Sequence, residues 1–409
     1  MEIVNTSESY NPSCVRPDSI TDDQMTVYLL ILWWLEGFGS IVICTIGIVF
    51  NLTTIMVVLG SELAATFFNW LLIFLAIFDN FFLLSGVLEA FRNHIGSSVL
   101  HDYVFVIFLF PFRSGILCCS VYTTILLALE RYHALAEPVQ CHRANSICVK
   151  HHSLKRHFSI HWARLIKYVG PVLILSTLLY IPKTMELKLA EETVCHDGIN
   201  VTEINCFHKH QVREAELRKN DAYILWYLNV TNALVTVIIP LMFLVYLNSN
   251  IFLKLKRHVV IQSSIIGRGE GGELNETRAR AVQEKFDRRE RNMIQQTKML
   301  FAIVILFIIS HTPRIILNVE ELVTLDNKMT AKKEGCVWLQ FWTLILIPVS
   351  HFLLQINSGI NLFIYCFFNT FFREALKSKL KATILLLRCK IKVQESPRII
   401  HEITEENDI

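Results

Sequence analysis

Charge is what this sequence has least of. Only 18% of its 409 residues are Asp, Glu, Lys or Arg, against 53% hydrophobic residues and a mean hydropathy of +0.42. A soluble chain of this length rarely carries so few charges, so composition points to a membrane protein. Other absences narrow the class. There is no glycine-rich phosphate loop, no zinc-ligand spacing and no persuasive nucleophile triad, which argues against an enzyme. Residues 337–368 contain no lysine, so a Schiff-base lysine of the kind a retinal pump needs is missing. No internal repeat is visible, which argues against a transporter. Residues 1–26 are polar and acidic with no apolar stretch of their own, so the first apolar run is expected to serve as the membrane-targeting signal.

What the chain does have is long apolar runs. A bilayer core of roughly 30 Å needs about 20 helical residues to cross it. Seven stretches meet that length, at about 27–59, 67–91, 103–132, 165–182, 222–253, 299–322 and 337–368. The expected fold is therefore an all-α membrane bundle of seven transmembrane helices, followed by a short amphipathic eighth helix from Phe371. Lysine and arginine lie unevenly between the runs: 25 in the segments on the C-terminal side and 11 on the N-terminal side. That imbalance predicts an extracellular N-terminus and a cytoplasmic C-terminus. The first inner loop, Gly60 to Thr66, is an exception with no basic residue. The chain then divides into an outer segment 1–26, a membrane domain 27–381 and a cytoplasmic tail 382–409.

Asn5 and Asn200 begin glycosylation sequons on the expected outer face, whereas those at Asn51, Asn229 and Asn275 read as chance matches. Cys14, Cys195, Cys206 and Cys336 lie outside, where four cysteines allow three pairings. The pairing read here is Cys195–Cys206 within one loop and Cys14–Cys336 between N-terminus and third outer loop, with free thiols as the alternative. Cys44, Cys118, Cys119 and Cys366 read as small packing residues, and Cys389 as a free thiol or a palmitoylation site. The histidines between His133 and His161 are irregularly spaced among lysines, which favours a basic surface over a metal site.

Polar side chains at membrane depth are costly unless paired or facing a wet interior, so each is a functional candidate. The first run holds Gly47-x-x-x-Asn51 and the second Leu75-Ala76-x-x-Asp79. The third ends in Glu130-Arg131-Tyr132, and the sixth holds His311-Thr-Pro313-Arg314. The seventh reads Asn357-Ser-Gly-Ile-Asn361-Leu-Phe-Ile-Tyr365. Asp79 is a carboxylate in mid-bundle, and Ser120, Asn357, Ser358 and Asn361 offer oxygens around it. That set suits a hydrated Na⁺ or, alternatively, an ion-free hydrogen-bonded plug. Pro313 and Pro240 each remove a backbone N–H and form hinges, with Phe307 packing at the pivot.

With these motifs in order, residues 27–381 resemble the rhodopsin-like, G-protein-coupled receptors. Within that class, "HTPR" and "NSGINLFIY" are similar to invertebrate FMRFamide-type neuropeptide receptors. The resemblance implies a plasma-membrane receptor that binds an amidated neuropeptide outside and activates a heterotrimeric G protein inside, with arrestin as a further partner and no nucleic acid. It also implies that Asp79 holds allosteric sodium at rest and that Arg131, released from Glu130, is the switch, with Tyr132, Phe307, Pro313, Asn361 and Tyr365 as its other parts. A receptor for a non-peptide ligand, or one that binds without signalling, is the alternative.

Departures from the family pattern carry their own expectations. Leu362 replaces a common proline, so the seventh helix is expected to be straighter. Met293 stands where the sixth helix often carries an acid, with Glu290 one turn earlier, so the resting state is expected to be less tightly locked. Val106 replaces a cysteine often bonded to the second outer loop, which favours the pairing within that loop. Eighteen residues before Arg131, where amine receptors carry Asp, stands Arg113, which disfavours monoamines. Glu89 and Arg113 either pair with each other or contact ligand. Glu89, Glu36, Glu320 and Glu321 offer negative charge to a basic peptide, and Phe112, Phe341 and Trp342 offer ring surfaces. His311, Arg314, His351 and Gln355 complete the candidate ligand contacts.

Overall fold

The computed structural model describes residues 15–17, 20–94, 96, 98–136, 154–197, 204–266, 276–334 and 336–385. Seven helices within them are long and apolar enough to cross a membrane: α1 (Asp22–Leu59), α2 (Phe67–His94), α3 (Val99–Ala134), α4 (Trp162–Met185), α5 (Asp221–Lys254), α6 (Ile294–Val323) and α7 (Phe341–Gly359). The sixth belongs to one continuous helix, Glu276–Val323. The seventh resumes after a break as Asn361–Phe368, and residues 370–385 form a last helix, α8. Each expected span is present, shifted by a few residues at its polar ends.

The seventh span begins later than expected because Val337–Leu339 is a strand, β4, which pairs in parallel with β1 (Val15–Pro17). The segment between α4 and α5 is an antiparallel hairpin of β2 (Leu187–Asp197) and β3 (Ile204–Glu214). Both sheets lie at the end of the bundle where α1, α3, α5 and α7 start, called the hairpin end below; the opposite end, where α8 departs, is the tail end. Val106 is buried with Phe105 and Leu109, and Leu187 and Val212 of the hairpin pack against this group. An apolar seat thus stands where a cysteine would have tied the loop to α3.

Local sequence explains where the first helix starts. Thr21 and Gln24 form a reciprocal cap: the Gln24 N–H donates to Thr21 Oγ1 (3.3 Å), and the Thr21 N–H donates to Gln24 Oε1 (3.1 Å). Asp22 and Asp23 then meet the positive end of the helix dipole. Around the bundle, large apolar side chains such as Met56, Leu175, Met242, Phe243, Ile309 and Phe363 point outward. Such a sheath is stable in hydrocarbon, where every backbone group must bond within its own helix. Trp33, Trp34 and Phe38 form an exposed ring cluster near the hairpin end of α1, as aromatics do at a membrane interface.

The core runs along the middle of the bundle, with Phe68, Leu71, Leu75, Leu83, Leu127, Leu244, Ile251, Met299 and Leu300 fully buried. Two backbones meet there without side chains between them. A Cβ added to Gly47 in α1 would lie 2.8 Å from the Gly359 Cα in α7, so position 47 needs glycine, and one added to Gly359 would lie a tight 3.2 Å from the Gly47 Cα. Regularity differs along the axis. The turns Trp33–Gly39, Phe105–Leu109, Ile224–Thr231 and Leu234–Ile238 are π-helical, and all four lie in the hairpin-end halves of α1, α3 and α5.

Candidate functional site

Three polar layers lie along the bundle axis. In the middle layer, Asp79 is fully buried, and its two oxygens accept from Ser120 Oγ and Asn361 Nδ2, each at 2.7 Å. Ser358 faces the same carboxylate. The Tyr365 hydroxyl, within electrostatic reach of Asp79, is left without a hydrogen bond. The structure therefore gathers four of the five expected residues around Asp79's carboxylate, itself included; no hydrogen bond among the described residues joins Asn357 to them. Asn51, fully buried, donates from Nδ2 to the Ser358 carbonyl at 3.0 Å. Its burial also rules out glycan attachment there, as does that of Asn229.

That bond corrects the expectation for α7. Without a proline at 362 the helix was expected to run straighter, but it breaks at Ile360. The Ser358 carbonyl would serve the N–H four residues on in a regular helix, and Asn51 takes it instead. Asn361 is simultaneously drawn toward Asp79, so side chains from α1 and α2 open the ladder that proline opens elsewhere.

At the tail end, Arg131 is buried, stacks its guanidinium 3.9 Å over the Phe68 ring, and donates to Gln296 Oε1 of α6. Glu130 lies within electrostatic reach of Arg131. Gln296 adds a clasp between α3 and α6 that uses a neutral amide: it approaches Arg131 across the helix interface, whereas Glu130 points from the next position around the helix. The adjacent Gln295 accepts from the Thr370 backbone N–H (3.1 Å) and Oγ1 (2.9 Å), tying α6 to the start of α8. Lys254 of α5 lies 3.8 Å over the Tyr132 ring. Tyr365 and Phe372 are both buried and in ring contact at 5.6 Å. No motif marked either glutamine. Met293 has no described side chain.

At the hairpin end, Arg113 of α3 and Glu89 of α2 form an ion pair. Glu36 of α1 bonds His351 Nδ1 of α7 at 2.8 Å, and Ser40 donates to Gln355 at 2.8 Å. Glu320 accepts from Lys328 Nζ at 3.0 Å and from Thr324 Oγ1 at 2.9 Å. Of the two alternatives for Glu89 and Arg113, the structure shows the pair, and Glu36 and Glu320 also hold partners within the chain. A further pair the sequence did not suggest, Arg92–Asp102 at 2.9 Å, joins the tops of α2 and α3, with Arg92 also 3.9 Å over Phe105. Lys183 donates to Ser114 at 3.0 Å. His311 is buried and stacks 4.1 Å from Phe307, which fills the pivot below Pro313.

Cys336 is disulfide-bonded, and the pairing of Val15 with Val337 runs beside it. Cys14 lies outside the described residues. Cys195 and Cys206 stand directly opposite each other in the hairpin backbone. Cys44, Cys118, Cys119 and Cys366 are free thiols. Asn5, Asn200, Asn275, Cys389 and the histidines from His142 to His152 fall outside the described residues. No metal-binding group of His, Cys, Asp and Glu occurs among the described residues.

Seven spans around a buried Asp79–Asn361 bond and a buried Arg131 define a membrane receptor rather than an enzyme. Residues 50–365 match the family of the 7 transmembrane receptor (rhodopsin family), and the chain belongs to that family. It is also similar to the FMRFamide receptor of Drosophila melanogaster, with 24% identity over 380 residues. The match takes in 90% of this chain and 56% of that receptor, so the chain spans somewhat over half the length of the curated relative.

Proposed function

We propose that this receptor takes an FMRFamide-like, C-terminally amidated neuropeptide at its hairpin end and activates a heterotrimeric G protein at its tail end. In this reading the hairpin end faces the cell exterior, the protein resides in the plasma membrane, and arrestin shares the inner surface. The observation that carries it is the Arg131–Gln296 clasp: a cation that would meet a G protein is held by the helix with the Pro313 hinge. Ligand-driven rotation of α6 about that hinge would withdraw Gln296 and uncover Arg131. The peptide class is supported by the likeness to the FMRFamide receptor.

The test is expression in cells, with calcium and cyclic-AMP responses recorded to a panel of amidated peptides. The expected result is a response to peptides ending in Arg-Phe-amide that disappears in Arg131→Ala. Silence of surface-expressed wild type to every peptide would turn the reading toward a non-peptide ligand or a non-signalling receptor.

The Asp79 layer fits a sodium ion. The buried Ser358 and Tyr365 hydroxyls, the latter without a hydrogen bond, adjoin a carboxylate, and a hard cation takes oxygen ligands of this kind. Asp79, Ser120 and Ser358 would hold it, and its charge would neutralise the carboxylate at rest. Asp79→Asn is expected to remove the difference in thermal midpoint between sodium and choline buffers; an equal difference in the variant would assign the layer to hydrogen bonding alone.

A further inference from the structure

Among the described residues, the hairpin end holds a cation that its surroundings leave unsatisfied. Arg113 has Glu89, Arg92 has Asp102, and Lys183 has Ser114 with Glu186 nearby. Arg314 forms no hydrogen bond or ion pair with any described residue. It follows Pro313 in α6 and is half-buried. Tyr180, His311, Lys183 and Arg113, which lie within its electrostatic reach, are neutral or cationic. Nearby acids are taken: Glu89 by Arg113, Glu36 by His351, and Glu186 by the Tyr223 hydroxyl at 2.9 Å.

A second observation points the same way. His311 lies one turn before Arg314 on the same helix face and is 2% exposed, yet neither ring nitrogen has a partner. Interior polar groups ordinarily find hydrogen bonds, and a charge in a membrane helix ordinarily finds a counter-charge. Two adjacent exceptions, a donor cation and an imidazole, describe a site whose partner arrives from outside the chain. Two aromatic residues are close by: Tyr180 lies within electrostatic reach of Arg314, and the Phe307 ring centroid is 4.1 Å from that of His311.

We propose that Arg314 and His311 form the deep recognition site for an oxygen acceptor at the end of the ligand, a carboxylate or a carboxamide attached beside an aromatic ring. This inference rests on reading the hairpin end as the ligand-binding end. It reverses the charge expected of the pocket: the ligand brings the acceptor and the receptor brings the cation.

Full-length receptor in phosphatidylcholine nanodiscs tests this through thermal unfolding, using N-acetylphenylalanine and N-acetylphenylalaninamide at millimolar concentration as probes. Removing an uncompensated cation should stabilise the probe-free protein, so Arg314→Gln and Arg314→Met are expected to raise the midpoint by about 2 °C or more. At least one probe should raise the wild-type midpoint and leave both variants unmoved. A shift with the carboxylate alone identifies an anionic end group; equal shifts identify the carbonyl oxygen. The proposal is overturned if neither probe shifts wild type, if shifts persist in the variants, or if both variants lower the probe-free midpoint. Because these readouts use no neuropeptide, a receptor silent to FMRFamide in cells would sink the peptide reading and leave this result standing.

Discussion

At the hairpin end, α1, α3 and α5 all open into π-helical turns, and the side chains facing inward carry full charges, most of them in pairs. At the tail end no π-helical turn occurs among the described residues, and neutral amides make two of the polar contacts between helices: Gln296 on Arg131, Gln295 on Thr370. The contrast follows from what each end has to do. Charge pairs give specific contacts, and π turns are frequent at functional sites. Amide bonds of about 1.5–3 kcal/mol to a charged partner are strong enough to bias a resting state and weak enough to be broken by ligand binding. Between the two ends, the glycine contact and the Asp79 layer hold α1, α2 and α7 together.

The largest effect should come from breaking that frame. Gly47→Val would place its first side-chain atom 2.8 Å from the Gly359 Cα and also 2.8 Å from Leu83 Cδ1. Overpacking of this kind costs about 3 kcal/mol, and surface expression measured by antibody labelling should collapse. Expression at the wild-type level would mean the two helices can part freely.

At the hairpin end, Glu89→Gln strips Arg113 of its partner. Stranding one member of a buried pair costs about 3–5 kcal/mol, and partial exposure of this pair reduces that to about 2 kcal/mol. The double variant with Arg113→Gln should recover most of the loss in thermal midpoint. If the two losses simply add, the pair is not a structural unit.

A smaller change should do more to signalling than to stability at the tail end. Gln296→Ala removes a bond worth about 1.5 kcal/mol, which is roughly a tenfold shift in the resting equilibrium. Ligand-free nucleotide exchange by an added G protein should rise accordingly, and Gln296→Glu, which turns the amide into a carboxylate, should suppress it. Equal basal rates in all three proteins would remove the clasp from the switch.

Much of this was legible in the chain because bilayer thickness imposes a length on apolar runs that few other constraints mimic. The residues that surround Asp79 were legible for a related reason: polar side chains in those runs are rare enough to stand out. Other features left no such mark. The hairpin lies in a stretch of mixed charge, where Lys188, Glu191 and Glu192 blur any alternation. Gln296 is an ordinary polar residue where the apolar span of α6 begins, and only the packing of α6 on α3 reveals its partner. The break in α7 was missed because a missing proline read as continuity, whereas its cause is an amide on another helix.

The contact between Gly47 and Gly359 also decides how molecules can move through the protein. Two backbones at that separation leave no thickness for an acyl chain or a file of water between α1 and α7. The lateral route from the bilayer into the Asp79 layer is closed on that side. Anything that enters the Asp79 layer must therefore do so elsewhere than between α1 and α7 at that level.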